Sequence, residues 1–132
     1  MKSLRSTFSI TKKTSGRIPN LPFLRIKERI LGIHYVASIV FSPPALSKKL
    51  NNRYRKRPKP ANVLSFPLSK QEGEIFIDTK QVKRDAHKFK KSYKAFLLFV
   101  FIHAVLHLKG FRHGSTMEKE EKKYLRQFSS SL

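Results

Sequence analysis

Apolar and polar residues alternate from Ser6 to Lys13, and a period of two predicts an edge strand there. After the Ser15-Gly16-Arg17-Ile18-Pro19 connection, Asn20 stands where it can cap a helix over Pro22–Leu31, with Gly32 to stop it. Tyr35–Phe41 is apolar and β-branched, the composition of a buried strand. Ser42-Pro43-Pro44 reads as a capping hydroxyl followed by first-turn prolines, opening a helix to about Tyr54. Arg55–Pro60 is a basic, proline-containing loop. Asn62–Pro67 is a short strand ended by proline, Ser69–Gly73 a turn, and Glu74–Asp78 another strand. Thr79–Phe89 reads as a polar helix and Tyr93–Leu108 as the most apolar helix of the chain. Ser115-Thr116-Met117-Glu118 has the spacing of a capping box for a last helix to about Phe128. The order β-α-β-α-β-β-α-α-α predicts an α+β (mixed α/β) fold. One domain covers residues 1–132, with a small mixed sheet of about four strands packed with about five helices. Residues 1–20 are expected to be a partly extended basic segment.

Charge changes the picture most. Lys and Arg number 29 against 8 Asp and Glu, a formal net charge of +21. Solubility alone asks for a magnitude of about 2–8 in a small domain. The excess therefore points to a polyanionic partner, and RNA is the favoured one. An anionic membrane surface is the weaker partner, because no segment reads as an amphipathic anchor. No apolar run reaches the ~18 residues of a membrane span, and no secretory apolar region follows Lys2 and Arg5. The chain has no cysteine, which excludes a disulfide framework and a thiolate metal site and fits a reducing, cytoplasmic setting.

The candidate chemistry lies in the apolar helix and the turn after it. His103 and His107 are four residues apart, one turn above each other on one helix face. Gly110 stands where the helix can end in a left-handed residue, and His113 follows to return to the same point. Three neutral nitrogens and one open position make a catalytic zinc arrangement, not a closed structural one. The spacing resembles that of metzincin proteases, but Ala104 stands where their general-base Glu follows the first histidine. Peptide hydrolysis by that route is disfavoured. His34 and His87 have no ligand-type neighbour at useful spacing and read as structural core histidines.

Two segments carry a family resemblance. His103-Ala-Val-Leu106-His107-Leu108-Lys-Gly110-Phe111-Arg112-His113 resembles the H-G-x-L-H-L-x-G-Y-D-H pattern of the YbeY rRNA-maturation metallo-endoribonucleases. Leu50-Asn51 to Tyr54-Arg55, then Asn62-Val63-Leu64-Ser65-Phe66-Pro67, resembles that family's L-N-x-x-Y-R-x-x-D-K-P-T-[DN]-V-L-S-F-P block. Gly73 and Glu74-Ile75-Phe76-Ile77 look like its following G-D-I-x-I strand. The resemblance covers about residues 35–128. Ala104 replaces Gly, Pro58 replaces Asp, Ala61 replaces Thr, and the N-terminal region and the loop after His113 are shorter. Arg112 stands where the family has Asp, and it cannot accept a hydrogen bond from imidazole. Another acceptor must then orient His113, or the ion is held differently.

The resemblance implies a zinc-dependent, single-strand-specific endoribonuclease acting in 16S rRNA 3′-end maturation and ribosome quality control. It implies one Zn²⁺, or another divalent transition metal, on His103, His107 and His113, and a partner in precursor 16S rRNA, the ribosome or its small subunit. Arg55 matches the family's arginine and is the catalytic candidate, since its planar fork binds phosphate bidentately. Arg53, Lys56, Arg57 and Lys59 are placed to hold an RNA backbone without reading sequence. Tyr54, Phe66 and Phe111 are candidates for base stacking, with core packing the better reading for Phe66. Asn62 and Ser65 are candidates for the floor of a cleft, with loop support the better reading. No general base is evident, so metal-activated water or the substrate's own 2′-OH is the expected nucleophile. The competing reading is a non-catalytic ribosome-biogenesis RNA-binding protein with a structural ion. A metal-dependent hydrolase with a non-RNA substrate is a third, and the charge argues against it.

Overall fold

The computed structural model describes residues 7–55 and 62–132, the side chains of Tyr54, Arg55 and Ser131 excepted. Alternation along the strands decides the architecture. β2 (Val36–Phe41) buries Ala37, Ile39 and Phe41, and β4 (Glu72–Ile77) buries Gly73, Ile75 and Ile77. These residues make one face of a sheet apolar, and that face must be covered. β1 (Phe8–Lys12), β2 and β4 run parallel, and β3 (Val63–Ser69) returns antiparallel to β4, in the order β1-β2-β4-β3. β1 is the exposed edge that its polar alternation predicts.

The cover is helical. α4 (Tyr93–Lys109) is apolar on nearly every side, as a helix surrounded by other elements must be. It packs on β3 and β4, with α1 (Phe23–Leu31), α3 (Thr79–Lys88) and α5 (Ser115–Phe128) around it. Phe23 of α1 meets Phe101 of α4 edge-on at 5.0 Å, and Met117, Tyr124 and Phe128 of α5 close the same core. Gly73 lets the sheet approach α4: a Cβ there would stand 2.7 Å from a Leu108 methyl and 2.6 Å from the Tyr35 hydroxyl. On the outer face, Leu64, Phe66 and Phe76 lie beside α2 (Pro44–Arg55). α2 is tied to α3 through Asp78, whose buried carboxylate accepts from Ser47 Oγ at 2.8 Å and from the Lys80 and Gln81 amides at 3.1 Å each.

The α+β reading and all nine elements stand as predicted, with corrections at their ends. Asn20 does not cap α1. Pro22 occupies that position without a side-chain bond, and burial of Leu21 and Phe23 fixes where the helix starts. Ser42 does not cap α2: the helix starts at Pro44, so Pro43 holds the cap position and its carbonyl accepts from the Ser47 amide at 3.2 Å. Pro67 does not end β3. The strand passes a bulge between Pro67 and Ser69, and on an edge strand the missing N–H is tolerated. The turn is shorter than Ser69–Gly73, since Glu72 and Gly73 already pair in β4. The Ser115–Glu118 capping box does not form, because Gly114 takes the cap position and Ser115 is already helical. Phe66 is half-buried against Phe76 on the outer face rather than in the main core. His34 and His87 are exposed, not core residues: His34 stands in the turn before β2 and His87 on the outer side of α3.

Candidate metal centre

α4 ends as Gly110 predicts. Gly110 has φ 113° in the left-handed region, its amide donates to the His107 carbonyl at 3.0 Å, and the Phe111 amide donates to the Leu106 carbonyl at 3.1 Å. This is a Schellman turn, and only glycine takes its left-handed position without strain. The turn has a consequence for the histidines. It brings the Phe111 carbonyl back onto the ring of His107, whose Nδ1 donates to it at 2.9 Å. From the other side, His103 Nδ1 donates to Glu121 Oε2 of α5 at 2.8 Å. His113, exposed beyond the turn, closes the group, with ring centres 5.2 Å from His103 and 4.8 Å from His107. The potential ligand atoms of the three histidines all lie within 4.8 Å of one another.

The tautomers follow from the partners. A carbonyl oxygen and an ionised carboxylate can only accept, so Nδ1 of His107 and of His103 carries the proton. In the neutral rings each Nε2 is then the acceptor nitrogen, and the two face each other at 3.1 Å. Two acceptors at that distance repel unless a cation stands between them. Tetrahedral zinc with Zn–N of about 2.05 Å would place two nitrogens about 3.3 Å apart. The donor set therefore fits a divalent transition metal held by His103, His107 and His113, with Glu121 and the Phe111 carbonyl orienting two of the rings. Among the described residues, none accepts a hydrogen bond from His113. Arg112 is exposed and supplies no acceptor.

The three histidines stand at one end of a cleft of about 340 Å³. Its walls are Asn62 and, after it, β3 through Val63 and Ser65, α3 through Gln81 and Asp85, and α4 through Phe96, Phe99 and Val100. Ser65 Oγ donates to the Ala104 carbonyl at 3.1 Å, which fastens β3 to the helix that carries His103 and His107. Ala104 itself is fully buried, so no group at that position reaches the cleft. Asp85 accepts from Asn62 Nδ2 at 3.0 Å and from Gln81 Nε2 at 3.1 Å. Among the described residues lining the cleft, it is the one carboxylate.

The other candidates are less gathered. Arg53 is exposed on α2, whose Leu50 shares a groove with Phe66 and Phe76 on the outer face of the sheet, and Arg53 is not among the described cleft residues. The backbone of Arg55 closes α2, and its side chain lies outside the described residues, as do Lys56, Arg57 and Lys59. Phe111 is half-buried against the core. Sequence reasoning missed Glu121 and Asp85. Glu121 carried a signal: it falls on the same face of α5 as the buried Met117 and Tyr124, where a carboxylate needs a partner. Asp85 carried none, since it sits in a polar helix among other charges.

An accessible three-histidine centre at the end of a cleft, in a small α+β domain, is the layout of a metal-dependent hydrolase. The family model "Endoribonuclease YbeY" matches residues 18–130. The chain belongs to this family. It is 33% identical over 108 residues to the endoribonuclease YbeY of Thermotoga maritima, covering 76% of this chain and 71% of that one. It is 37% identical over 86 residues to the endoribonuclease YbeY of Gluconobacter oxydans, covering 64% and 51%. The solution structure of TM1509 from Thermotoga maritima superposes with a TM-score of 0.67 at 24% identity, over 94% of this chain and 90% of that one, and supports the fold.

Proposed function

We propose that this protein is a zinc-dependent endoribonuclease that cuts single-stranded RNA in cytoplasmic 16S rRNA 3′-end maturation and ribosome quality control. The observation that carries the reading is the convergence of His103 Nε2 and His107 Nε2 on one point, with His113 beside them, at the end of a cleft. The net charge of +21 and the family membership supply the substrate class. A divalent ion in this centre supplies Lewis acidity toward a phosphoryl oxygen and lowers the pKa of water. The chain's own groups do the rest. Glu121 and the Phe111 carbonyl hold the rings in one orientation. Asp85, held by Asn62 and Gln81, offers a carboxylate that can take a proton from the attacking water or 2′-OH. Arg55 binds the phosphate that gains charge, and Arg53, Lys56, Arg57 and Lys59 hold the backbone. A purely structural ion fits less well, because closed structural sites do not leave an exposed ligand facing a cleft.

The test is cleavage of single-stranded and duplex RNA by the purified protein, with metal content measured alongside. Chelation abolishes cleavage and zinc restores it, while Arg55→Glu keeps the ion and loses cleavage. Arg55→Lys is intermediate, since lysine lacks the planar fork. Five or six phosphate contacts on a single strand give log K a slope near −4 against log salt, from about −0.7 per contact. Full activity in metal-free protein sinks the reading. A salt slope near zero moves the basic residues to another role.

A further inference from the structure

The face of α4 that carries His103 and His107 continues toward the helix start as Phe99 and Phe96, at helical spacing. Beyond them stands Phe89, at the end of α3. The rings form an unbroken run. Phe89 and Phe96 stack at 5.9 Å and 27°, Phe96 and Phe99 lie at 6.0 Å and 37°, and Phe99 and His103 at 6.0 Å and 37°. Phe96 and Phe99 line the metal cleft and also a second groove of about 580 Å³, shared with Phe89, Leu98, Leu125 and Leu132. The groove and the cleft thus have a common wall.

The outer end of the run is held open by the backbone. α3 ends in a Schellman turn, with the Lys91 amide donating to the Ala86 carbonyl at 2.8 Å and the Lys90 amide to the His87 carbonyl at 3.1 Å. Phe89 projects from this turn and is 58% exposed. Lysines surround it: Lys88 Nζ lies over the Phe89 ring, 5.7 Å from its centre, Lys91 lines the groove, and Lys90 is exposed.

We propose that this run of rings seats the nucleobases of a single-stranded polynucleotide whose phosphate enters the metal cleft, an inference that rests on the endoribonuclease reading above. Continuity and charge commit the groove to this occupant. A strand lying on the rings reaches the histidines without leaving the wall, and its phosphates meet the lysines at the edge. An apolar peptide would use the rings and leave the lysines unmatched. The groove is apolar apart from Lys91 and Ser129, so it holds bases by their faces and reads their edges little.

Binding of two strands by the zinc-loaded full chain tests this. One is a non-cleavable 2′-O-methyl oligoadenylate, the other an abasic strand of equal length and charge. The base-bearing strand binds tighter by about fivefold or more, the weight of one stacked base. Phe89→Ala removes most of that difference and leaves abasic binding within about twofold, and Phe89→Trp restores it. Equal binding of both strands by the wild type overturns the inference, as does equal weakening of both by Phe89→Ala. Phe89-dependent self-association at the same concentrations assigns the groove to a second copy and also overturns it. Cleavage of unmodified RNA is scored separately. Base preference without cleavage refutes only the enzyme reading, and cleavage without base preference refutes only this one.

Discussion

One face of α4 carries two kinds of surface. Toward its C-terminus, His103 and His107 are each pinned through Nδ1, by a carboxylate and by a carbonyl. Toward its N-terminus, Phe96 and Phe99 are held by apolar contact, ring to ring at 27–37° and half-buried against the core. Hydrogen bonds weaken steeply off their preferred angles, so the histidine end has one working geometry. Ring contacts are broad in angle and additive in area, so the phenylalanine end tolerates change. A Schellman turn flanks each end: Gly110 makes the one that returns a carbonyl to His107, and Lys90 makes the one that turns Phe89 outward. The same backbone device thus builds a fixed corner at one end and an open shelf at the other.

If that contrast is right, the corner fails as a unit. His107→Ala removes one of two converging lone pairs and takes bound metal from about one ion per chain to nearly none. His34→Ala and His87→Ala, both at exposed positions, leave metal content unchanged. Metal analysis of the purified variants checks this, and equal occupancy in all three breaks the assignment. Glu121→Ala comes next. Losing an orienting partner typically costs about 10–100-fold in metal affinity. Glu121→Gln costs less, since its amide oxygen still accepts from His103. Competition titration with a chromophoric chelator separates the two variants. Equal affinity in both would mean that Glu121 acts by charge and not by orienting the ring.

The corner was largely legible in the sequence, because its three histidines lie within one helix and the turn after it. Spacing along a helix is a local property, and Gly110 signals where the helix must stop. The orienting acceptors were not legible to the same degree. Glu121 comes from another helix, and a backbone carbonyl such as that of Phe111 leaves no mark in side-chain composition. The shelf hid for a different reason. In a helix apolar on nearly every side, Phe96 and Phe99 look like further core, and only packing shows which face the other elements leave uncovered. The element order was readable throughout because hydrophobic period survives in each segment. The caps misled at Asn20, Ser42 and Ser115 because a neighbour, Pro22, Pro43 or Gly114, holds each cap position, and the ~1 kcal/mol that a side-chain cap contributes does not decide where a helix starts.

The smallest expected effect is the sharpest check on the contrast. Phe96 stands between Phe89 and Phe99 and is half-buried. Phe96→Leu keeps an apolar side chain of smaller volume, which costs about 1 kcal/mol of stability through lost ring contact. No hydrogen bond to a histidine passes through this position, so metal affinity stays within about threefold of wild type, far from the 10–100-fold loss at Glu121. Urea unfolding of the metal-free protein gives the first number and the chelator titration gives the second. A metal defect in Phe96→Leu as large as that in Glu121→Ala would mean that the rings transmit orientation to His103, and that corner and shelf are one device.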